Sequence, residues 1–302
     1  MFEKLLLTAL LPAGIAAGVI LILLRSRLLP ESLAPEHGLG AGALGIGAAY
    51  TACHLLALDE GWPGFPPADV THWALFGAWL ATALGLAEVA VYTRFEERPA
   101  IVQPARWIPR IALSAGLVFL ILSGLAALEE TWGSPSLPML VTGLCAASVL
   151  LFLQLDGLAS QRSQLYGTLM LSAALGGTAG VVMLAGSAKL SQLTGSLAAS
   201  MGALFGLVFW SSALTPLRGA VPVIGFVLVA VLVCACSFTD LPPAAAFLLI
   251  LTPGAARLGR AGPLARAPLW VSVLIGLLGI VGLLGGAAAL THAAAPEPYS
   301  PH

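Results

Sequence analysis

Ten apolar stretches follow one another along the chain, separated by short polar breaks. They run near 5–24, 38–58, 74–93, 111–128, 137–155, 165–186, 193–214, 219–237, 242–258 and 268–291. About 20 apolar residues, at 1.5 Å rise each, cross about 30 Å of hydrocarbon, so each stretch reads as a membrane-spanning helix. The ninth is the weakest, because it is short and carries Leu251-Thr252-Pro253-Gly254. Proline there removes a backbone hydrogen bond. The pair therefore predicts a kink, an early helix end, or the kind of broken helix that binds substrate in transporters. Arg25 and Arg27 follow the first stretch directly, so it is expected to be a retained helix and not a cleaved leader.

The polar breaks carry the orientation. All eleven arginines fall in odd-numbered connections: Arg25 and Arg27 in the first, Arg94, Arg98, Arg106 and Arg110 in the third, Arg162 in the fifth, Arg218 in the seventh, and Arg257, Arg260 and Arg266 in the ninth. The two lysines, Lys4 and Lys189, fall on the other side. Cationic loops stay in the cytoplasm, so the odd connections are expected to face inward and both termini outward. The third connection, 94–110, bears prolines and reads as an interfacial loop. The tail 293–302 is proline-rich and is expected to be disordered. The predicted fold is thus an all-α polytopic transmembrane bundle over 1–292, with about ten spans. An inverted repeat of five plus five helices is allowed by parity, although the halves show no sequence similarity.

Composition agrees. Hydrophobic residues make up 59% of the 302 and charged residues 9%, against about 25% charged in an ordinary soluble domain. A soluble fold of this size would leave much of that apolar surface in water, and lipid removes the difficulty. A net charge of −1 gives no field that attracts nucleic acid. The richness in Ala, Gly, Pro and Arg, with no asparagine, suggests a GC-rich bacterial genome, and the expected location of the bundle is a bacterial inner membrane. Cys53, Cys145, Cys234 and Cys236 all sit in apolar runs and read as packing residues. Small-xxx-small pairs, Gly14/Gly18, Gly38/Gly42, Gly176/Gly180, Gly202/Gly206 and Gly282/Gly286, are expected at close helix contacts or at a dimer face.

Few residues carry candidate chemistry. Glu88 lies deep in the third span, and an intramembrane carboxylate is a functional candidate by default. It suits proton or cation coupling, or else a structural pairing with nearby arginines. His54, near the outer end of the second helix, stands at a depth similar to His72. Asp59, Glu60 and Asp69 lie in the loop between them. Such a group suits an interfacial structural loop, a substrate or proton site, or a metal or haem. Its spacing matches no metal signature, so His54, His72 and Asp69 are weak metal candidates, and nothing in the sequence calls for a cofactor. Asp69 also suits a helix cap. Lys189 is a candidate for holding an anion or a lipid phosphate at the outer entrance.

The loop 61–73, GWPGFPPADVTHW, resembles one in a family of uncharacterised bacterial multi-pass membrane proteins. That likeness implies a membrane location and carries no activity, so no site residue follows from it.

The leading expectation is a transporter of a small solute, with Glu88 coupling and His54, Asp59, Glu60 and Lys189 along the pathway. The second is a non-catalytic scaffold subunit, partnered by the lipid bilayer and by copies of itself or other membrane subunits. The third is a membrane enzyme with Asp59 or Glu60 as base.

Overall fold

A computed structural model describes residues 2–25, 39–57, 62–67, 69–95, 97–123, 137–161, 163–211 and 214–294. Ten α-helices occupy them: α1 Phe2–Arg25, α2 Leu39–Ala52, α3 His72–Phe95, α4 Pro99–Ser123, α5 Leu137–Ala159, α6 Gln164–Leu184, α7 Ala188–Trp210, α8 Leu217–Phe238, α9 Pro243–Leu258 and α10 Leu269–Ala294. A π-helical turn, Cys53–Ala57, prolongs α2, and a 3₁₀ segment, Gly262–Arg266, precedes α10. Eight helices are long and apolar enough to cross a membrane, and α2 and α9 are shorter apolar helices. There is no strand among the described residues. The protein is an all-α, multi-pass membrane bundle.

Contacts between connections show how the helices alternate. At one end, Arg218, at the start of α8, lies 5.1 Å from the ring of Tyr92 near the end of α3. Arg257, near the end of α9, lies against Gly157 near the end of α5. At the other end, Lys189 at the start of α7 reaches Asp69 ahead of α3, and Asp240 N–H donates to the carbonyl of Ala185. The third, fifth, seventh and ninth connections therefore share one end, and the second, sixth and eighth share the other. Such sorting requires the short helix α9 to traverse the bundle as the long ones do, and the approach of Gly42, near the start of α2, to Pro216 of the seventh connection places α2 across it as well.

Helix α8 is the axis. Every residue from Gly219 to Ala235 is buried, against α2, α3, α4, α5, α6, α7 and α9. It reads LRGAVPVIGFVLVAVLVCACSF and has no polar side chain between Arg218 and Cys234. Its neighbours approach closely where side chains vanish. A Cβ on Gly85 of α3 would strike the carbonyl of Gly219, and one on Gly42 of α2 the carbonyl of Pro216. The small-xxx-small pairs behave unevenly. Gly202 and Gly286 touch neighbouring helices, whereas Gly14, Gly18, Gly180, Gly206 and Gly282 face open space, and Gly38 lies outside the described residues.

Inside the bundle, hydroxyls satisfy themselves locally. Thr168, Thr178, Thr194 and Thr291 each donate to the carbonyl one turn back, as they must where no water competes. Ser163 caps α6 by accepting from Tyr166 N–H, and Ser187 caps α7 by accepting from Leu190 N–H.

Two readings of the sequence need correcting. The stretch expected as an interfacial loop is helical from Pro99, and Pro104 and Pro109 lie inside α4. Proline is tolerated within membrane helices because surrounding groups meet the freed backbone. The Pro253-Gly254 pair does not end α9, which runs on to Leu258. Gly254 N–H donates to Gln154 Oε1 of α5 at 2.8 Å, so the neighbouring helix supplies a partner beside the proline. Of the tail, Ala293 and Ala294 belong to α10, and 295–302 lie outside the described residues. A five-plus-five repeat would match α1 on α7 with α6 on α2. Among the described residues α1 packs on α7, while α6 has no such packing on α2.

Candidate functional site

Glu88, Arg106, Arg110 and Asp156 meet at the arginine-rich end of the bundle. The local sequence explains why. Arg106 and Arg110 stand four residues apart on α4, so both point from one face of the helix. Glu88 lies seven residues before the end of α3, and Asp156 three before the end of α5. Helices α3, α4 and α5 pack side by side, which closes the four groups into one network.

Arg110 is its centre, with a side chain only 1% exposed. Its Nε and Nη2 donate to the two oxygens of Glu88 at 2.6 and 2.5 Å, a bidentate fork. Its Nη1 donates to Asp156 Oδ2 at 2.8 Å. Arg106 Nη2 meets the other oxygen of Asp156, and its Nε lies 3.8 Å from Glu88. The Arg110 guanidinium also lies 5.0 Å from the ring of Phe152 and 5.7 Å from that of Trp107. Two cations and two anions cancel, which is the condition for keeping charges out of water.

The cluster opens onto a vestibule of about 180 Å³, lined also by Tyr92, Gln103, Ser160 and Arg218. Arg106 is 30% exposed and stands at the boundary between the buried network and this space. Arg218, lying over Tyr92, adds a cation to the wall that no carboxylate of the described residues pairs in a salt bridge.

The opposite end holds the other expected residues. His54 is fully buried on the π-helical turn. Its ring lies 5.2 Å from that of His72 and 6.1 Å from that of Tyr50. The Asp69 carboxylate binds elsewhere on the loop and on α7. It accepts from Thr71 N–H at 2.8 Å, initiating α3, and from Lys189 Nζ at 2.7 Å. Partial burial pushes its carboxyl up, but the hydrogen bonds from Lys189 and Thr71 outweigh this and hold it at about 2. No group of three or more His, Cys, Asp or Glu that could hold a metal ion exists among the described residues. Trp62, Phe65, Trp73, Phe76 and Trp79 form a run of ring contacts along this loop. Trp62 and Phe65 are exposed at its tip, where aromatic rings suit the membrane interface. Asp59 and Glu60 lie outside the described residues.

The residues expected along one pathway are therefore split between the two ends. Glu88 sits with arginines, and His54 and Lys189 sit across the bundle from it. Asp156 escaped the sequence reading because it follows the apolar run 137–155 by one residue. Arg110 escaped as a buried residue because three prolines hid its helix. The available signal was the four-residue spacing of Arg106 and Arg110, opposite a lone intramembrane acid.

No protein family, curated protein or solved structure matches the chain.

Proposed function

We infer that this chain is a small-solute transporter of a bacterial inner membrane, with the Glu88–Arg110–Asp156–Arg106 cluster as its inner latch. The observation that carries the reading is four paired charges on three helices at the floor of a vestibule, with Arg110 buried, Glu88 and Asp156 largely so, and Arg106 reaching into the open space. Buried ion pairs add little net stability, because their desolvation offsets their attraction. Ionisable groups within membrane segments instead mark ion and substrate pathways. A latch of matched charges can open by exchanging partners with an entering solute, and Arg106 is already half in the vestibule. At the far end Asp69 and Lys189 tie α3 to α7, so α3 is held by charge at both ends. Alternating access needs one such closure on each side.

Solid-supported membrane currents from reconstituted protein, challenged with a panel of small amino acids, carboxylates and inorganic ions, test this reading. At least one solute should drive a current that Glu88→Gln abolishes. Wild-type protein giving no current above empty liposomes for the whole panel would contradict it.

The scaffold reading has one observation of its own. Helices α1 and α10 expose broad apolar faces in which Gly14, Gly18, Gly282 and Gly285 meet nothing within 4 Å, and small residues favour helix–helix docking in lipid. Recovery in mild detergent of a different stoichiometric subunit would favour it, and a clean monomer or homodimer the transporter. The enzyme reading rested on Asp59 and Glu60 and gains no support from the described residues.

A further inference from the structure

Charge does not balance where the cluster meets the vestibule. Arg106, Arg110 and Arg218 stand there against Glu88 and Asp156. Arg110 is fully engaged, since its Nε, Nη1 and Nη2 all donate to those two carboxylates. Arg106 shares Asp156 with it and reaches into the open space. Arg218 is exposed over the ring of Tyr92 and forms no salt bridge with a carboxylate of the described residues. Three guanidiniums and two carboxylates leave a surplus of one positive charge.

The rest of the wall is of another kind. Val89, Val102, Ala105 and Ala159 line the same space of about 180 Å³, together with Gln103 and Ser160. Gln103 stands one turn before Arg106 on α4, so its amide and the guanidinium share a face. A few polar groups set in an apolar wall are the ordinary make-up of a small-molecule site.

We propose that the vestibule takes a small organic monocarboxylate, bound by Arg218 and by Arg106 in place of Asp156; that this anion is the solute rests on the transport reading. Guanidinium forks match carboxylate oxygens bidentately. Exchanging one carboxylate for another leaves Arg106 paired throughout, and Asp156 keeps its bond from Arg110. The arriving negative charge cancels the surplus, whereas a cation would add to it in a space poor in water, where unmatched charge is costly. The valines and alanines receive the hydrocarbon body.

The test follows thermal unfolding of the purified full-length protein in neutral detergent, at constant ionic strength. Sodium formate, isobutyrate and nitrate and methylammonium chloride are each compared with sodium chloride. Isobutyrate is expected to raise the midpoint by several degrees, formate by less, and methylammonium not at all. Arg218→Gln should weaken the apparent affinity for isobutyrate by about tenfold or more, the loss of a charged hydrogen bond. Arg98→Gln, at an exposed arginine outside the vestibule, should leave it unchanged. No increment from either carboxylate, an equal one from nitrate or methylammonium, or one that Arg218→Gln leaves intact overturns the proposal. If Arg218→Gln does not fold, phenylglyoxal modification of Arg218 in the wild type decides: isobutyrate should slow it several-fold, and an unchanged rate overturns the site. Currents from reconstituted protein keep the two claims apart. Currents driven only by cations or neutral solutes would sink the carboxylate and spare the transport reading. Stabilisation by isobutyrate with no current from any solute would sink the transport reading and spare the site.

Discussion

Arg110 of α4 grips Glu88 of α3 through two parallel hydrogen bonds of 2.6 and 2.5 Å, with the arginine side chain shut away from solvent. Neither residue could remain charged there alone. Removing one partner strands the other, which costs about 3–5 kcal/mol for a buried pair. Arg110→Ala and Glu88→Ala should each lower the unfolding midpoint in detergent sharply. Joining them should cost much less than the two losses added. Additive losses in a double-mutant cycle would show that the two side chains do not act as a pair. Arg110→Lys should behave nearly as badly as Arg110→Ala, because a single ammonium cannot bridge Glu88 and Asp156 with fork geometry.

The ion pair at the other end should be worth far less. Asp69 and Lys189 are 45% and 28% exposed, and exposed pairs contribute about 0–1 kcal/mol. Lys189→Met is expected to cost no more than that near neutral pH. The Asp69 carboxyl is held at about 2 in the folded protein, below an ordinary value of about 3.9. A depressed folded value stabilises the protein above the ordinary one, and the contribution fades as the pH falls through about 4 towards 2. Lys189→Met should therefore flatten the acid limb of a stability-against-pH curve in that window. An acid limb identical to wild type would contradict the pairing.

Close approach to the axial helix makes a graded prediction. Gly85 faces the carbonyl of Gly219, and Gly14 faces nothing. Gly85→Leu must push α3 off α8 and should cost about 1–3 kcal/mol or more, as overpacked cores do. Gly14→Leu should be close to neutral in the monomer. Equal midpoints for the two variants would refute the packing described.

The bond from Gly254 N–H to Gln154 ties α9 to α5 beside Pro253. Gln154→Leu removes it, for an expected loss of about 0.5–1.5 kcal/mol. Hydrogen exchange at Gly254 should quicken in the variant, and an unchanged exchange rate would mean the side chain does not shield that amide.

These residues also show where the sequence was readable. Lipid demands long apolar runs and punishes isolated charge, so the helices and the oddity of Glu88 stand out in one dimension. The arginine parity was legible for the same reason, and the sorting of connections into two ends agrees with it. Pairings were not legible. Arg110 and Asp156 are 46 residues apart, and Lys189 and Asp69 are 120 apart, distances over which no periodicity speaks. His54 and His72 were expected at one depth and do meet, while the partner of Asp69, a lysine on α7, was not foreseen. The helix that carries Arg110 was hidden by prolines, whose helix-breaking tendency holds in water and weakens where neighbouring helices supply partners. The small-xxx-small pattern marked glycines without saying which face meets a neighbour: Gly42 meets the carbonyl of Pro216, Gly14 and Gly18 meet nothing, and the close contacts at Gly85 and Gly157 fall outside every such pair.

The central claim is that the buried charge network is kept for function and not for stability, and one stability measurement tests it without knowing the solute. In a variant combining Glu88→Gln, Asp156→Asn, Arg106→Gln and Arg110→Gln, all four charges vanish together and none is stranded. Neutralising a whole buried network is commonly neutral or stabilising, so the unfolding midpoint should equal or exceed that of wild type. A midpoint as low as that of Arg110→Ala would contradict the claim and make the network a structural clamp.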